Sequence, residues 1–416
     1  MNNNSIASFK LDNGLRAVLD YRKVGFISIG CGIKAGSFYE SNTNAGTAHF
    51  LEHMLFEGTQ KYQDSKSLAE SLENIGGRSG AYTDREYVYF SVKIGKKYFN
   101  NGLGYLSDIL FNSKLDEKAI EKEKNIIIEE KKKREDNPET VVWDSWFRWM
   151  YRNKDTLGMP IIGTEKTIKK INKTSLKKYL DKFYQPSNMV ISIVGEFSQK
   201  DATKLIKKYF GLNIKNKDIN AIQKNPQDYK YPKESKKIIT LATNQSQLLI
   251  GFPTGIGYSN IDKYPLMVIS DYFAGGVSSS IFHKLIYDLG IAYNLGATNW
   301  MLKDYGVFFI YSSISKENLN TAIISISKEI KKIQTSLISE KSLNAAKERI
   351  KQGYYFSLES TESRASYYAY DMLIKNKLTS EEEYLENIDK ISKETIRDTA
   401  KRFFKDPYIM ISGSTE

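Results

Sequence analysis

The chain has 416 residues, which is long enough for two domains of ordinary size, each with its own hydrophobic core. Apolar residues make up 41% and charged residues 26%, the balance of a soluble globular protein, and no apolar run is long enough to span a bilayer. The formal charge of +12 arises from lysines spread along the whole chain and not from a dense basic stripe, which argues against nucleic-acid binding.

The first residues show no basic segment followed by an apolar run, so we expect no secretory signal. The one cysteine of the sequence, Cys31, excludes an internal disulfide and lies in an apolar, strand-like run. We interpret it as a small core residue. Together these features predict a cytoplasmic protein that does not enter a membrane.

In chain order, the elements that matter for chemistry begin with an apolar strand predicted over residues 26–34. A helix follows that begins near Thr47, which can cap it, and ends before Gly58. The patterns downstream predict a helix over 65–75 that stops at two glycines, a strand over 81–94 with alternating side chains, and a helix over 116–134.

The chain also repeats one unit twice. A helical stretch, a turn containing proline and an apolar strand ending in glycine occupy residues 175–195 and again residues 394–413. An upstream apolar strand recurs at 27–33 and 247–252. Strands and helices do not alternate strictly within either half, which favours α+β layers over a doubly wound parallel sheet.

We therefore predict an α+β fold of two similar domains, each a mixed sheet layered with helices. A stretch rich in Lys, Asn, Asp and Gln separates the two copies, and its lack of periodicity is typical of a linker. The predicted parts are a first domain over 1–212, a linker over 213–237 and a second domain over 238–416.

The strongest chemical pattern is His49-Phe-Leu-Glu52-His53 on the first predicted helix. Residues four apart share a helix face, so the two imidazoles can bind one Zn²⁺ at about 2.0–2.1 Å each. Glu52 borders this face and can take a proton from a water on the metal without being a ligand. The chain has three histidines, so this spacing rarely arises by chance, and it follows the H-x-x-E-H order of inverzincins.

A catalytic zinc site needs a third protein ligand and an open position for water. No further histidine lies nearby in the sequence, so a carboxylate must serve. On the helix over 116–134, Glu123 and Glu130 are seven residues apart and share a face. Glu130 can then ligate the metal while Glu123 orients a histidine or the water, and Glu129 is the competing ligand.

At these positions the chain resembles the pitrilysin family, which includes insulin-degrading enzyme and the mitochondrial processing peptidase. The resemblance covers nearly the whole chain. Its first matching stretch reads His-Phe-Leu-Glu-His-Met-Leu-Phe-Glu-Gly-Thr and its second Gly-Gly-Arg-Ser-Gly-Ala-Tyr-Thr-Asp-Arg-Glu. The matching stretches are residues 49–59, 76–86, 120–130, 157–165, 184–189, 273–282 and 289–293.

Carried over residue by residue, the resemblance implies a site with one zinc ion per chain. The zinc ligands fall on His49, His53 and Glu130, the general base on Glu52, and a supporting glutamate on Glu123. The family fold, two similar α+β halves facing each other across a cavity, agrees with the internal repeat.

The resemblance also implies where substrate binds. The family's edge strand receives the substrate as an added strand, which would hold an extended peptide by main-chain hydrogen bonds. We place these contacts at Ala81 and Tyr82. The family usually has an asparagine before that alanine, and this chain has Gly80.

In the second half, Tyr293 matches a family tyrosine that helps to stabilise the tetrahedral intermediate. Seven residues earlier the family often has an arginine, whereas this chain has Ile286. Some relatives divide the work between one subunit with the zinc site and another with the Arg–Tyr pair. This chain is similar to the zinc-bearing kind. We interpret His283 as a residue of a helix surface.

The sequence thus predicts a zinc metallopeptidase that hydrolyses peptide bonds in unfolded peptides or precursor segments. The expected assembly is a homodimer or a heterodimer with a related subunit, with neither nucleic acid nor a membrane as partner. Two alternatives stay open. One is a zinc-bearing subunit that is inactive without an Arg/Tyr partner, and the other is a non-catalytic scaffold subunit.

Overall fold

The computed structural model describes residues 6–151, 156–211 and 231–413. In chain order, its strands are β1 (Ala7–Lys10), β2 (Arg16–Tyr21), β3 (Phe26–Ile33), β4 (Arg78–Thr83), β5 (Val88–Gly95), β6 (Met189–Gly195), β7 (Lys236–Thr240), β8 (Ser246–Pro253), β9 (Ala292–Met301), β10 (Gly306–Ile314) and β11 (Tyr408–Gly413).

The α-helices that surround these strands are α1 (Thr47–Met54), α2 (Ser65–Glu73), α3 (Phe99–Phe111), α4 (Glu117–Glu135), α5 (Pro138–Tyr151), α6 (Glu165–Ile168), α7 (Lys173–Phe183), α8 (Gln199–Phe210), α9 (Lys263–Ala274), α10 (Ser280–Phe282), α11 (Leu319–Thr335), α12 (Glu340–Ser357), α13 (Thr361–Lys375), α14 (Glu381–Asp389) and α15 (Lys393–Phe403). None of the described helices is long and apolar enough to cross a membrane.

The chain divides into two compact units, each made of separate stretches of sequence. The first unit consists of described residues within 1–132, 152–223 and 357–378, and the second of those within 133–151, 224–356 and 379–416. This division differs from contiguous domains over 1–212 and 238–416, because each unit includes a helix from the other half of the sequence. Most of the predicted linker, 213–237, lies outside the described residues.

The two units contain sheets of the same design. The first sheet has the order β1-β2-β6-β3-β5-β4, and the second has the order β7-β11-β8-β10-β9. One pair in each sheet is parallel, β2 with β6 and β7 with β11, and all other neighbours are antiparallel. From β2 onwards the first sheet therefore matches the second strand for strand, which confirms the predicted α+β fold of two similar units.

The repeated helix, turn and strand are also confirmed. Helix α7 leads into β6 and helix α15 leads into β11, and each of these strands ends in glycine. Asn172 caps α7 and Ser392 caps α15, and each cap forms a reciprocal capping box with the residue three positions later. A side-chain cap of this kind fixes where the helix begins, so both copies start their helix in the same way.

A helix from the other half of the sequence covers each sheet. Helix α13 packs against the first sheet through Ala365, Ala369 and Leu373, which are four residues apart and at most 5% exposed. The small side chains of the two alanines let this helix approach the strands closely. In the second unit, α5 buries Trp146 completely, and its ring lies 4.7 Å from that of Phe309.

Two local expectations differ from the structure. The single strand predicted over 81–94 is wrong, because β4 and β5 are separate strands of an antiparallel hairpin. The Asp84 N–H donates to the Tyr87 carbonyl at 2.8 Å and closes the turn between them. The helix predicted from Thr47 is confirmed, but its N-cap residue is Gly46.

The interpretation of Cys31 as a core residue is confirmed. The residue lies in β3, is completely buried and pairs with Phe90 and Ile191 on the adjacent strands. Burial raises the pKa of its thiol, because the thiolate would lose its hydration. A buried cysteine with a raised pKa is chemically inert, so it contributes packing.

Candidate metal centre

Helix α1 is held at its N-terminus by a carboxylate from outside the helix. Gly46, the N-cap, has a φ of 92° and offers no side chain. Glu40 replaces the missing cap, since its Oε2 accepts from the Gly46 N–H at 2.8 Å and its Oε1 from the Ala48 N–H at 2.6 Å. Glu40 is only 5% exposed, and its negative charge stabilises the positive end of the helix dipole.

The rest of α1 is fixed by packing. Its apolar face is completely buried and includes Phe50, Leu51 and Met54. The opposite face turns His49 and His53 toward α4, with ring centroids 4.7 Å apart. The buried face therefore determines the direction in which both imidazoles point.

Glu130 on α4 lies opposite the two histidines. Its Oε1 is 3.7 Å from the Nε2 of His49, and its Oε2 is 3.6 Å from the Nε2 of His53. Each of the three residues offers one ligand atom, and these atoms lie within 4.8 Å of one another. Glu129, the competing residue, is 70% exposed and pairs with Lys132 at 2.6 Å.

Glu123 lies two helical turns before Glu130 and contacts the other nitrogen of His53. Its Oε2 is 3.2 Å from the Nδ1 of His53, and its side chain is only 5% exposed. A carboxylate accepts hydrogen bonds, so the proton of the imidazole belongs on Nδ1 and Nε2 keeps its lone pair for a metal. Burial tends to lower the pKa of His53, but the bond to Glu123 and the nearby carboxylates together raise it.

Glu52 is held from the other side by the sheet. Thr83, the last residue of β4, donates from Oγ1 to the Oε2 of Glu52 at 2.5 Å. Burial raises the pKa of the Glu52 carboxyl, although the bond from Thr83 and the charge of His53 act against this shift. Sequence reasoning missed Thr83. The available signal was its position two residues after Ala81, which places both side chains on one face of the strand.

The donor set fits a zinc ion. Two imidazoles and one carboxylate are the ligands of a known class of catalytic zinc sites, which leave one position open. Ligands at about 2.1 Å from a tetrahedral metal lie about 3.4 Å apart. The separations of 3.7 Å and 3.6 Å between Glu130 and the histidines are close to this distance.

The strand with the predicted substrate contacts is the last strand of its sheet. β4 pairs with β5 on one side, and no other described strand pairs with its outer edge. Tyr82 is 41% exposed, and its hydroxyl lies 3.1 Å from that of Tyr87 and 3.2 Å from that of Ser366. A Cβ at Gly80 would meet only the Ser91 hydroxyl, at 3.6 Å, so the glycine leaves room for a side chain.

The remaining predicted residue, Tyr293, belongs to the second unit. It lies in β9, and 83% of the residue is exposed. Ile286 lies in a π-helical turn over His283–Asp288 and packs against the core of that unit. The side chain of His283 is 52% exposed and lies 3.2 Å from Asp288, which supports its interpretation as a surface residue.

Comparisons with known proteins place the chain in one family. The family model described as Insulinase (Peptidase family M16) matches residues 17–165, and that described as Peptidase M16 inactive domain matches residues 170–350. The uncharacterized zinc protease YmxG of Bacillus subtilis is 31% identical over 407 residues, which cover 97% of each chain. The mitochondrial-processing peptidase subunit beta of Bos taurus is 28% identical over 418 residues, covering 98% of this chain and 84% of that protein.

The fold has a close counterpart among solved structures. The crystal structure of a protease from Helicobacter pylori superposes with a TM-score of 0.87 at 23% identity. The match covers 98% of this chain and 99% of that one. At this identity the likeness concerns the fold alone.

Proposed function

Because the chain belongs to the insulinase family, peptidase family M16, we propose that it is a zinc metallopeptidase acting on unfolded peptides or precursor segments. The observation that carries the proposal is the convergence of His49, His53 and Glu130, with Glu52 beside them. Relatives that are named zinc proteases support zinc as the metal. We propose one zinc ion per chain.

The residues of the site divide the chemistry among them. Zinc, when bound, would lower the pKa of a water and polarise the scissile carbonyl. His49 and His53 offer neutral nitrogens, and Glu130 adds one negative charge. Glu123 keeps the proton of His53 on Nδ1. Glu52 takes the proton of the attacking water and passes it to the leaving amine, and burial raises the pKa of Glu52, which makes it a stronger base.

The outer edge of β4 is the proposed place for the substrate. A peptide that lies along this edge would pair with the backbone at Ala81 and Tyr82, as an added strand does. Such pairing needs an extended chain, which an unfolded peptide adopts more readily than a segment within a folded domain. Main-chain hydrogen bonds also depend little on the amino-acid sequence of the peptide. This favours unfolded peptides as the substrate class.

A second candidate is a zinc-bearing subunit that needs a partner. Ile286 occupies the position where the family often has an arginine, so this chain lacks one group of the Arg–Tyr pair and keeps Tyr293. A relative named as the beta subunit of a peptidase supports an assembly of two chains. We propose a dimer, formed either with a second copy or with a related subunit that supplies the arginine.

Two measurements on the purified protein test the proposal. Zinc analysis should find about one ion per chain in the parent and in Glu52→Gln, because Glu52 is not in the ligand set. Cleavage of an unbiased peptide mixture should fall about a hundredfold or more in Glu52→Gln. Glu73→Gln, at an exposed residue of α2, is the matched control and should stay active.

The outcomes separate the candidates. A Glu52→Gln protein with parental activity would remove the assigned base. A chain without zinc affinity would instead be a scaffold subunit. Cleavage that begins only when a related subunit is added would favour the second candidate, and light scattering on the same sample would report the dimer.

A further inference from the structure

A hydrogen bond from the hydroxyl group of Thr83 ties the proposed base, Glu52, to the proposed substrate strand, β4. Its Oγ1 donates to the Oε2 of Glu52 at 2.5 Å, and the two residues are 31 positions apart in the sequence. A bond from a hydroxyl to a carboxylate at this distance is a strong, charge-assisted one. Thr83 is therefore well placed to fix the orientation of the Glu52 carboxylate.

We propose that Thr83 is a positioning residue for Glu52, an inference that rests on the proposed peptidase function. By holding Oε2, Thr83 leaves the Oε1 of Glu52 free to receive the proton of the attacking water. The hydroxyl does not touch substrate or metal ligands in this role. Its effect on the reaction passes through the Glu52 carboxylate.

The surroundings of Glu52 explain why such a restraint is needed. The carboxylate of Glu130 is close enough to repel the carboxylate of Glu52. A glutamate side chain has three rotatable bonds, so without a donor on one oxygen it would sample orientations that relieve the repulsion. The Thr83 bond offsets that tendency and keeps one productive orientation.

Thr83 itself is held rigidly enough to serve. It ends β4, and the turn that follows is closed by the 2.8 Å bond from the Asp84 N–H to the Tyr87 carbonyl. Within that turn, the guanidinium of Arg85 is buried and donates to the carbonyls of Leu157 at 3.1 Å and Met159 at 3.2 Å. The same strand would pair with the substrate, so one rigid element aligns both the peptide and the base.

A structural role of the same bond, in which it only packs β4 against α1, makes a different prediction. A packing bond would change stability and leave the turnover of folded protein intact. A positioning bond changes kcat and leaves KM alone, because it acts on the base and not on peptide binding. The two roles can therefore be distinguished by kinetics on folded protein.

The experiment compares three variants of the full chain with the parent. Thr83→Val removes the hydroxyl at nearly constant shape and should lower kcat about 10–100-fold, with KM within about twofold and zinc content unchanged. Thr83→Ser keeps the hydroxyl and should recover kcat to within about threefold of the parent. Thr59→Val is the matched control, since the buried Thr59 donates to Asp108 in the same unit, and it should keep the parental kcat.

A crystal structure of metal-free Thr83→Val adds a readout that needs no activity, and we expect the Glu52 carboxylate to be displaced or disordered there. The inference is overturned if Thr83→Val keeps kcat within about twofold, if only KM or stability changes, or if Thr83→Ser is as impaired as Thr83→Val. A parent that cleaves no peptide would refute the proposed function instead. The orientation of Glu52 in the crystal would still decide the inference in that case.

Discussion

Glu129 and Glu130 are neighbours in the sequence, yet only one of them faces the histidines. Successive residues of a helix point about 100° apart, so one carboxylate turns toward α1 and the other toward solvent. We predict that Glu130→Ala weakens zinc binding by about a hundredfold or more, because the ion loses a charged ligand. Titration of the metal-free protein with zinc in the presence of a competing chelator measures this loss.

Glu129→Ala is the control for that measurement. It removes the same side chain from the adjacent position, where the carboxylate pairs with Lys132 at the surface. Its zinc affinity should equal that of the parent, because a surface ion pair contributes little. Equal losses in both variants, or a larger loss in Glu129→Ala, would show that the third ligand is misassigned.

Residue-scale features differ in how far the sequence predicts them. The histidine pair and Glu52 lie within one helix turn, so their spacing alone predicts that they share a helix face. The choice between Glu129 and Glu130 depends on how α4 is rotated against α1, which the local sequence leaves open. The position of Thr83 on the same strand face as Ala81 could have singled it out, but its bond to Glu52 could not be predicted, because a hydrogen bond between a strand and a helix 31 residues apart leaves no periodic pattern.

At the scale of elements, the β4–β5 hairpin shows why a strand could be predicted and its turn could not. Alternating side chains over 81–94 indicate extended chain, and the turn at Asp84 to Tyr87 contains neither glycine nor proline to mark it. The turn is stabilised instead by Arg85, whose partners lie more than 70 residues away. Local sequence patterns do not predict long-range hydrogen bonds of this kind.

The tyrosines of this hairpin predict how the stability of the first unit depends on pH. Burial, followed by the influence of Tyr82, raises the pKa of Tyr87, and burial likewise raises the pKa of Tyr89 and of Tyr370 on α13. These phenols stay neutral in the folded state at a pH where the unfolded chain ionises them. The contribution of these tyrosines to the free energy of unfolding is fully present below about pH 10 and is lost progressively as pH rises above 10.

Tyr87→Phe tests this linkage. Above pH 10 the free energy of unfolding of the parent decreases as pH rises, because the tyrosines ionise on unfolding. In Tyr87→Phe this decrease should be smaller by about 1.4 kcal/mol per pH unit, since one of these phenols is gone. Urea unfolding of parent and variant between pH 8 and pH 11.5 measures both slopes. Parallel curves that differ by a constant offset would mean that Tyr87 ionises equally in both states.

At the scale of the whole molecule, the duplication predicts two sheets of one design but not two sites. The helix that follows β3 is α1, with the histidine pair, whereas the helix that follows β8 is α9. Helix α9 contains no histidine, and its one carboxylate, Asp271, pairs with Arg349 at 2.6 Å. The three-residue cluster on α1 and α4 is the one metal-binding group found among the described residues.

The internal repeat also does not predict that each unit includes a helix from the other half of the sequence. Helix α13 is an ordinary amphipathic helix by its pattern, so nothing local assigns it to the first sheet. Its polar contacts are specific, since the buried Asp20 accepts from the Tyr368 hydroxyl at 3.1 Å and Ser28 bonds with Thr361 at 2.7 Å. The first unit, which contains the candidate metal site, is therefore incomplete without residues 357–378.

We accordingly predict that a fragment of residues 1–211 does not unfold cooperatively. Without α13 the first sheet would lose contacts with Tyr368, Ala369, Met372 and Leu373. Burial of such side chains contributes roughly 5–10 kcal/mol in total, as much as the whole stability of many domains. Urea unfolding followed by far-ultraviolet circular dichroism should show a broad transition for the fragment and a sharp one for the full chain.

Joining α13 covalently to the fragment tests directly whether the missing helix causes the loss of cooperativity. Residues 357–378 joined to 1–211 by a flexible linker should restore a sharp transition and zinc binding, because that segment completes the first unit. The same fusion with Ala369→Asp should fail, since it would bury an unpaired charge against the sheet. A bare 1–211 fragment that already unfolds sharply and binds zinc would mean that α13 is an accessory to this unit. In that event the first half of the sequence would be an independent zinc domain.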